Sequence, residues 1–198
     1  MKLTLVLSTL GGTEEIGRFL ASLQTQEGAD YELVVVDQNR DERLAPILAP
    51  YRERMALRHL RSAPGLSKGR NAGLELLSGD LVAFPDDDCW YPPGLLARVC
   101  AWFEAHPEAD GVSGISIDEQ GRPSAARWDD RPGRIDRWNV WRRAISFSVF
   151  LRAKVARTIG GFDETLGVGA GTPWGSGEET DYLLRALEAG FDLRFDPS

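Results

Sequence analysis

Short apolar segments alternate with amphipathic segments through the first half of this chain, and this alternation restricts the possible folds more than any other feature. Residues 3–9, 31–36 and 81–84 are rich in Leu, Val and Ala and predict buried strands. Between the first two runs, apolar residues from Ile16 to Leu23 recur at the spacing of one buried helix face. Apolar strands joined by helices form parallel sheets with both faces covered. The pattern therefore predicts an α/β fold with a mostly parallel central sheet and helices on both faces.

The remaining elements are predicted from less regular patterns. Further strands are expected at residues 57–60, 111–117, 145–151 and 191–195, and helices at residues 66–77, 93–105 and 178–189, with one more helix ending near Arg54. Five glycines between Gly167 and Gly177 predict a loop before the last helix. No repeat or linker divides the sequence, so residues 1–198 are expected to form a single domain.

The charge balance and the cysteine count exclude several classes of protein. The chain has 23 Lys and Arg against 30 Asp and Glu, a formal charge of −7, so no nucleic-acid partner is expected. Its two cysteines, Cys89 and Cys100, are too few for a disulfide framework or a four-cysteine zinc site. This cysteine usage indicates a reducing compartment, and a cytoplasmic location is expected. No apolar run approaches the roughly 20 residues of a membrane-spanning helix, so none is predicted.

Acidic residues follow two of the predicted strands. Asp37 comes at the end of the second apolar run, and Asp86, Asp87 and Asp88 follow the run at residues 81–84. Ligands of parallel sheets bind beyond the carboxyl ends of the strands. Three adjacent carboxylates repel one another unless a cation lies among them, so they predict a site for Mg²⁺ or Mn²⁺ that stabilises a departing diphosphate. An acidic turn without metal, or an Asp-x-Asp-x-Thr phosphatase lacking its Thr, are the alternatives.

A glycine-rich segment from Gly65 to Gly73 carries Lys68 and Arg70 near the start of a predicted helix. Both side chains could donate hydrogen bonds to phosphate oxygens, and the glycines allow close approach of a ligand or a strand. The order of residues is not that of a P-loop. A helix with solvated cations remains the alternative.

A second acidic group begins the last predicted helix, directly after the glycine-rich loop. Glu178 or Glu179 could act as a general base for a substrate hydroxyl. Ser176 and Glu179 also form a capping-box pattern, in which backbone N–H groups would occupy Glu179 and leave Glu178 freer for chemistry.

A third segment, residues 127–143, combines arginines with tryptophans. It holds six Arg and three Asp, with Trp128, Trp138 and Trp141 between them. An acceptor platform, a phosphate clamp, a contact with a membrane surface and a lid with ordinary ion pairs are all compatible with this composition.

Six segments, in the right order along essentially the whole chain, resemble family 2 glycosyltransferases of the GT-A fold. They are Val6-Leu7-Ser8-Thr9, Val34-Val35-Val36-Asp37, Gly65-Leu66-Ser67 with Arg70-Asn71-Ala72-Gly73, Phe84-Pro85-Asp86-Asp87-Asp88, Gly160-Gly161-Phe162-Asp163-Glu164, and Gly177-Glu178-Glu179-Thr180-Asp181. The resemblance implies a nucleotide-binding half at residues 1–110 and an acceptor-binding half at residues 111–198.

The resemblance also implies roles for individual residues. Binding of the nucleotide or substrate falls to Thr9, Asp37, Arg70, Asn71, Asp86 and Asp87, with Asp37 accepting a hydrogen bond from the base, usually uracil. Asp86 and Asp88 match the outer carboxylates of the family's metal-binding Asp-x-Asp motif. The Glu178–Glu179 pair matches the acidic pair that supplies the base, with Glu179 in the base position. The implied reaction is a single displacement with inversion.

The implied partners are a nucleotide-diphosphate sugar, usually of UDP, and a glycan or lipid-linked acceptor for surface polysaccharide, with peripheral contact at the inner face of the membrane. The sequence departs from the family at three positions: Glu179 replaces the usual Asp, Gln38 replaces an acidic residue, and Ser8 replaces Pro. Related enzymes usually continue beyond the position of Ser198, so a truncated acceptor half is expected.

Two other functions are compatible with the same architecture. A sugar nucleotidyltransferase would need a cationic glycine-rich loop after the first strand, and residues 11–15 lack the cations. A non-catalytic module that binds a nucleotide sugar without turnover is the second alternative.

Overall fold

The computed structural model describes all residues from Met1 to Ser198 and contains eight strands and seven α-helices. The strands are β1 (Lys2–Thr9), β2 (Asp30–Asp37), β3 (Ala56–Arg61), β4 (Leu81–Ala83), β5 (Gly111–Ser113), β6 (Gly133–Arg134), β7 (Val149–Arg152) and β8 (Leu193–Phe195). The helices are α1 (Glu14–Leu23), α2 (Ala45–Leu48), α3 (Leu66–Leu74), α4 (Leu95–Ala105), α5 (Val140–Arg143), α6 (Ala153–Ile159) and α7 (Glu178–Glu188). None of these helices has the length and apolar character that spanning a bilayer requires.

The strands form one sheet in the order β3-β2-β1-β4-β7-β5-β8-β6. The first four strands in this order are parallel, and β5 is parallel to β8. Strand β7 runs antiparallel to β4 and β5, and β6 runs antiparallel to β8. Parallel pairings outnumber antiparallel ones, which confirms the predicted α/β fold with a mostly parallel sheet.

Helices cover both faces of the sheet, as the apolar strands predict. Alternate residues of β1 point to opposite faces. Leu3, Leu5 and Leu7 belong to a cluster of 20 buried residues that includes α1 and α4. Val6 belongs to a second cluster of 18 buried residues that includes α6 and α7. Strand β1 is therefore buried on both sides, and its carboxyl end is fixed by two separate cores.

The predicted helix ending near Arg54 is wrong in extent. Only Ala45–Leu48 is α-helical, and Ala49–Tyr51 forms a 3-10 turn. Pro50 has no N–H to donate to the preceding turn, so the α-helical hydrogen bonds cannot continue through it.

Three predicted strands of the second half are also shorter than expected, and the one predicted at residues 191–195 begins at Leu193. The strand predicted at residues 111–117 ends at Ser113. The strand predicted at residues 145–151 begins at Val149, because Ser146–Ser148 form a 3-10 turn. The Ser148 hydroxyl stabilises this turn, accepting a hydrogen bond from the Ile145 N–H at 3.1 Å and donating one to the Ile145 carbonyl at 2.9 Å.

Helix α3 packs very closely against β1. A Cβ atom on Gly69 would lie 2.0 Å from the Ser8 Oγ, and one on Gly73 would lie 2.3 Å from the Val6 Cγ1. Because these glycines are four positions apart, they lie on the same face of the helix. This face therefore needs glycine, and it sets how near α3 comes to the sheet.

We expect Gly73→Ala to destabilise the protein by about 1–3 kcal/mol, because the added methyl group overpacks the contact with β1. Gly17→Ala is the matched control. Gly17 lies inside α1 with open space where its Cβ would be, so the same change there should stabilise the protein by roughly 0.5–1 kcal/mol. Urea unfolding of the two variants measures both effects. Equal effects of the two substitutions would contradict the close packing.

Glu32 is a buried acid at the amino end of β2. Its carboxylate accepts hydrogen bonds from the Thr4 and Ser78 hydroxyls, each at 2.7 Å, and forms ion pairs with Lys2 at 3.1 Å and Arg58 at 3.0 Å. Burial opposes ionisation, but the hydrogen bonds from Ser78, Thr4 and Lys2 outweigh it and lower the pKa of Glu32 to about 2. The ionised form therefore ties together β1, β2, β3 and the turn before β4.

A carboxyl with a lowered pKa stabilises the folded state when it is ionised, so Glu32 stabilises above pH 5 and loses this effect as the pH falls towards 2. The size of the effect is on the order of 3 kcal/mol. We expect Glu32→Gln to lower the free energy of unfolding at pH 7 and to have a smaller effect at pH 3. Denaturant unfolding at the two pH values measures this, with exposed Glu53→Gln as the control. A pH-independent loss in Glu32→Gln would contradict the assignment.

Candidate active site

The carboxyl ends of β1, β2 and β4 bring the predicted acidic residues to one edge of the sheet. Thr9 and Asp37 are register partners at the ends of β1 and β2. The Thr9 hydroxyl donates a hydrogen bond to Asp87 in the loop that follows β4. The acidic loop is therefore attached to the end of β1, beside Asp37.

Arg70 of α3 is the centre of the site. Its side chain is 1% exposed, and it donates to Glu178 Oε1 through Nη1 and to Asp86 Oδ1 through Nη2, both at 3.0 Å. The ring of Phe162 lies under the guanidinium, with 5.3 Å between the ring centre and Cζ. One buried cation thus joins α3, the acidic loop and the first residue of α7.

The two outer carboxylates of the acidic loop have different surroundings. Asp86 is partly buried, and its Oδ2 accepts a hydrogen bond from the Ser146 hydroxyl at 3.3 Å. Burial raises the pKa of Asp86, the Arg70 guanidinium opposes the rise, and the negative charge of Asp88 adds to it. Asp88 itself is exposed, and its side chain accepts only a weak contact from the Cys89 thiol at 3.6 Å.

These residues fit a divalent cation that takes most of its ligands from a bound substrate. No group of three His, Cys, Asp or Glu side chains is arranged to hold a metal alone. Mg²⁺ typically uses one or two carboxylates and completes its shell with water and phosphate oxygens. Asp88 offers an unpaired carboxylate, and Asp86 offers a second carboxylate that already contacts Arg70 and Ser146. Two carboxylates are the protein donors that such a site needs.

The predicted capping box at the start of the last helix is wrong. Gly177, at φ +93°, is the residue before the helix, and no side chain caps it. Ser176 therefore lies outside the capping position, and Glu179 is not occupied by a capping interaction with it. The expectation that Glu178 is freer is wrong as well, because Glu178 is buried against Arg70.

Glu179 lies half-buried at the wall of a small cavity. Phe84, Ser146, Phe162 and Tyr182 contribute to the same wall. Burial raises the pKa of Glu179, the neighbouring Glu178 raises it further, and Arg70 partly opposes them. A carboxylate with a raised pKa and no side-chain partner is suited to accepting a proton.

Asp37 is fully buried and surrounded by donors. Its Oδ1 accepts hydrogen bonds at 2.9 Å from both the backbone N–H and the side-chain amide of Asn39. Its Oδ2 lies 3.1 Å from His59 Nε2 and 3.3 Å from Arg61 Nη1. The contact of Asp37 with a nucleotide base stays a prediction.

Asn71 holds the turn that supports Arg70. Its Nδ2 donates to the Phe162 carbonyl and to Glu164, each at 3.0 Å, and its Oδ1 accepts from the Phe162 N–H at 2.7 Å. A Cβ on Gly161 would lie 2.6 Å from the Asn71 Oδ1, so the turn needs glycine there. Asn71 thereby places the Phe162 ring under the guanidinium. Direct nucleotide contacts of Asn71 and Arg70 stay predictions.

The sequence patterns missed several residues of the site. Ser146, Phe162, His59 and Arg61 contact predicted site residues from distant positions in the chain. Of these, only Phe162 carries a local signal, because it lies in the glycine turn of a recognised motif. The others have no pattern of their own.

A larger cavity of about 810 Å³ opens beside Asp88. Its wall is mostly apolar and includes Trp90, Trp102, Phe147 and Phe150 from the region between α4, β5 and β7. Asp88 is common to this cavity and the acidic loop, so a molecule bound in the cavity would lie next to the candidate cation site.

Comparison of the sequence with known proteins identifies its family. Residues 4–158 match the profile of Glycosyl transferase family 2. A PGL/p-HBAD biosynthesis glycosyltransferase of Mycobacterium bovis is 30% identical over 164 residues, which are 81% of this chain and 62% of that protein. The chain thus spans less than two thirds of the length of this curated relative.

Solved glycosyltransferase structures have the same fold. TarS from S. aureus superimposes on 100% of this chain and 36% of its own with a TM-score of 0.80 and 21% identity. The mannosyltransferase PcManGT from Pyrobaculum calidifontis, in complex with GDP-Man and Mn²⁺, superimposes on 99% of this chain and 55% of its own with a TM-score of 0.73 and 18% identity. The fold is GT-A, and because the profile covers most of the sequence, the chain belongs to glycosyl transferase family 2.

Proposed function

We propose that this chain transfers a sugar from a nucleotide-diphosphate donor to a hydroxyl group of an acceptor, by single displacement with inversion. The bridge from Asp86 through Arg70 to Glu178 carries the proposal, because it brings the acidic loop and the start of α7 into one site. TarS has been solved with UDP-GlcNAc and PcManGT with GDP-Man, which supports a nucleotide-sugar donor here.

The donor occupies the carboxyl edge of β1, β2 and β4 in this proposal. Asp37 and Thr9 line the nucleotide pocket, with Asp37 accepting a hydrogen bond from the base, which is usually uracil in the family. Asp86 and Asp88 would hold a Mn²⁺ or Mg²⁺ ion, and Asp87 positions the loop through its hydrogen bond from Thr9. The cation supplies neutralisation of the charge that develops on the leaving diphosphate.

Glu179 is the general base in this proposal. It takes the proton of the acceptor hydroxyl as that oxygen bonds to the anomeric carbon, while the bond from this carbon to the diphosphate breaks and its electron pair leaves with the nucleoside diphosphate. Glu178 does not share this role, because its carboxylate is held by Arg70.

The acceptor binds on the side formed by residues 111–198 in this proposal. Ser146 and the Glu178–Glu179 pair both belong to that half and reach the acidic loop or Arg70. The acceptor is a glycan or a lipid-linked molecule, and the protein acts in the cytoplasm at the inner face of the membrane.

The function is tested by incubating the protein with UDP-, GDP- and dTDP-sugars in the presence of Mn²⁺. Binding is measured by calorimetry, and turnover by release of free nucleoside diphosphate. Binding with release supports the transferase. Binding without release, also in the presence of glycan and lipid-linked acceptors, would instead indicate a non-catalytic module, and formation of a sugar nucleotide from a sugar phosphate would indicate a nucleotidyltransferase.

Asp88→Asn is expected to remove the Mn²⁺-dependent part of donor binding. Of the two carboxylates proposed to bind the cation, Asp88 is the exposed one that forms no ion pair, whereas Asp86 pairs with Arg70. Donor titrations with and without Mn²⁺ measure this. Asp30→Asn, an exposed acid at the opposite edge of the sheet, is the control and should bind like the wild type. Unchanged Mn²⁺ dependence in Asp88→Asn would contradict the cation site.

Glu179→Gln is expected to bind the donor normally and to lose roughly 10²–10⁴-fold in turnover, the usual contribution of a general base. Burial and the charge of Glu178 raise the pKa of Glu179, although the charge of Arg70 opposes them. As the pH is lowered, wild-type turnover should therefore begin to fall at a pH above the ordinary titration range of a Glu carboxyl. Initial rates across pH, with saturating donor, measure both effects.

Glu178→Gln is the matched variant for this prediction. It removes the partner of a buried cation, so it should lower stability while retaining more turnover than Glu179→Gln. A dead Glu178→Gln enzyme beside an active Glu179→Gln enzyme would reverse the assignment of the base.

A further inference from the structure

The segment with arginines and tryptophans presents two large apolar side chains to solvent. Trp138 is 81% exposed and Trp141 is 59% exposed. Unlike Trp128, whose Nε1 donates to the Ser124 carbonyl at 2.7 Å, these two indoles make no hydrogen bond within the chain. Trp138 lies in the turn that precedes α5, and Trp141 lies three positions further along, within α5.

The turn that carries these tryptophans is firmly held. Ile135 and Val140 are buried in the apolar cluster shared with α7. The Asp136 carboxylate accepts hydrogen bonds from the backbone N–H groups of Trp138 and Asn139, at 2.7 and 3.0 Å. The exposure of the two indoles is therefore a built feature of the surface rather than a consequence of a loose loop.

The same surface is cationic in an acidic protein. Residues 127–143 hold six Arg and three Asp, whereas the whole chain carries a charge of −7. Arg142 and Arg143 pair with Asp129, and Arg134 pairs with Asp192. The other three arginines are exposed and form no ion pair, namely Arg127, Arg131 and Arg137. The Arg137 guanidinium lies 5.5 Å from the centre of the Trp138 ring.

We propose that Trp138, Trp141, Arg131 and Arg137 form a surface that binds an anionic lipid bilayer. Tryptophan rings favour the boundary between headgroups and acyl chains, where the apolar ring and the polar N–H are both satisfied. Arg137, at the Trp138 ring, and the exposed Arg131, earlier in the same segment, supply charges that pair with anionic headgroups. Neither Trp138 nor Trp141 lines the cavity beside Asp88, and their high exposure suits a flat partner better than an enclosed sugar ring.

Helix α5 connects this surface to elements of the candidate active site. Helix α5 packs against α7, and three residues after its end Ser146 contacts Asp86. If the protein has the proposed function, binding to the bilayer brings it to a lipid-linked acceptor. The acceptor hydroxyl then reaches Glu179 from the membrane surface.

The test is sedimentation of the full chain with vesicles of phosphatidylcholine alone and of equal parts phosphatidylcholine and phosphatidylglycerol. We expect binding to the anionic vesicles only, weakened by added salt. Arg131→Gln with Arg137→Gln should weaken it by roughly thirtyfold. Trp138→Ala with Trp141→Ala should weaken it at least as much, and blue-shifted Trp fluorescence on vesicle binding should be lost with these rings.

Matched variants separate this surface from general effects of charge and apolarity. Trp174→Ala removes another tryptophan that is 66% exposed, and Arg157→Gln removes an exposed arginine of α6. Both should sediment like the wild type. Release of nucleoside diphosphate without vesicles should be unchanged in all variants, so failure of membrane binding is distinguishable from failure of the proposed function.

Three results would overturn the proposal. The first is absence of binding to the anionic vesicles, and the second is equal binding to neutral ones. The third is binding of a soluble polyanion such as heparin with the same dependence on Trp138 and Trp141, which would make the surface a glycan site.

Discussion

The buried guanidinium of Arg70 is the interaction on which the site depends. Two carboxylates share one cation, so Asp86 and Glu178 are drawn to fixed positions although they belong to different elements. Buried ion pairs often add little net stability, because desolvation of the charges offsets their attraction. The benefit here is geometric. The Arg70 guanidinium leaves Asp88 on the exposed side of the acidic loop and Glu179 beside the small cavity. The proposed chemistry uses Asp88, together with Asp86, for the metal ion and Glu179 for the proton.

The position of Arg70 follows in turn from the packing of α3. Because Gly69 and Gly73 have no side chains, this helix packs directly against β1. The Asn71 side chain accepts a hydrogen bond from Phe162 in the glycine turn and so connects the helix to that turn. The two glycines thus set the distance of Arg70 from the sheet, and Asn71 sets the position of the aromatic ring beneath the guanidinium. This explains why one short segment contains small, cationic and amide residues together: each contributes a different contact to the placement of one guanidinium.

Much of the fold could be predicted from the sequence, because β1, β2, β4, α1 and α7 carry their periodicity within a few consecutive residues. The position of Asp37 and the acidic loop at the same end of the parallel strands followed from the geometry of such a sheet. The role of Glu178 did not, because its partner lies 108 positions away and local spacing suggested a cap at Ser176 instead. The late start of β7 depends on the Ser148 hydroxyl, which satisfies backbone groups of the preceding turn locally, and apolar patterning does not record such bonds.

The two adjacent glutamates at the start of α7 have different surroundings because they point in different directions from the helix axis. Consecutive helical residues are rotated by about 100° around the axis, so two neighbouring carboxylates cannot both face the same cation. Arg70 pairs with Glu178, and Glu179 is left without a side-chain partner. Both residues are glutamates, so the direction in which the helix begins, and not the chemical identity of the acid, decides which of them pairs with Arg70. A shift of the helix by one residue would exchange the paired and the unpaired glutamate.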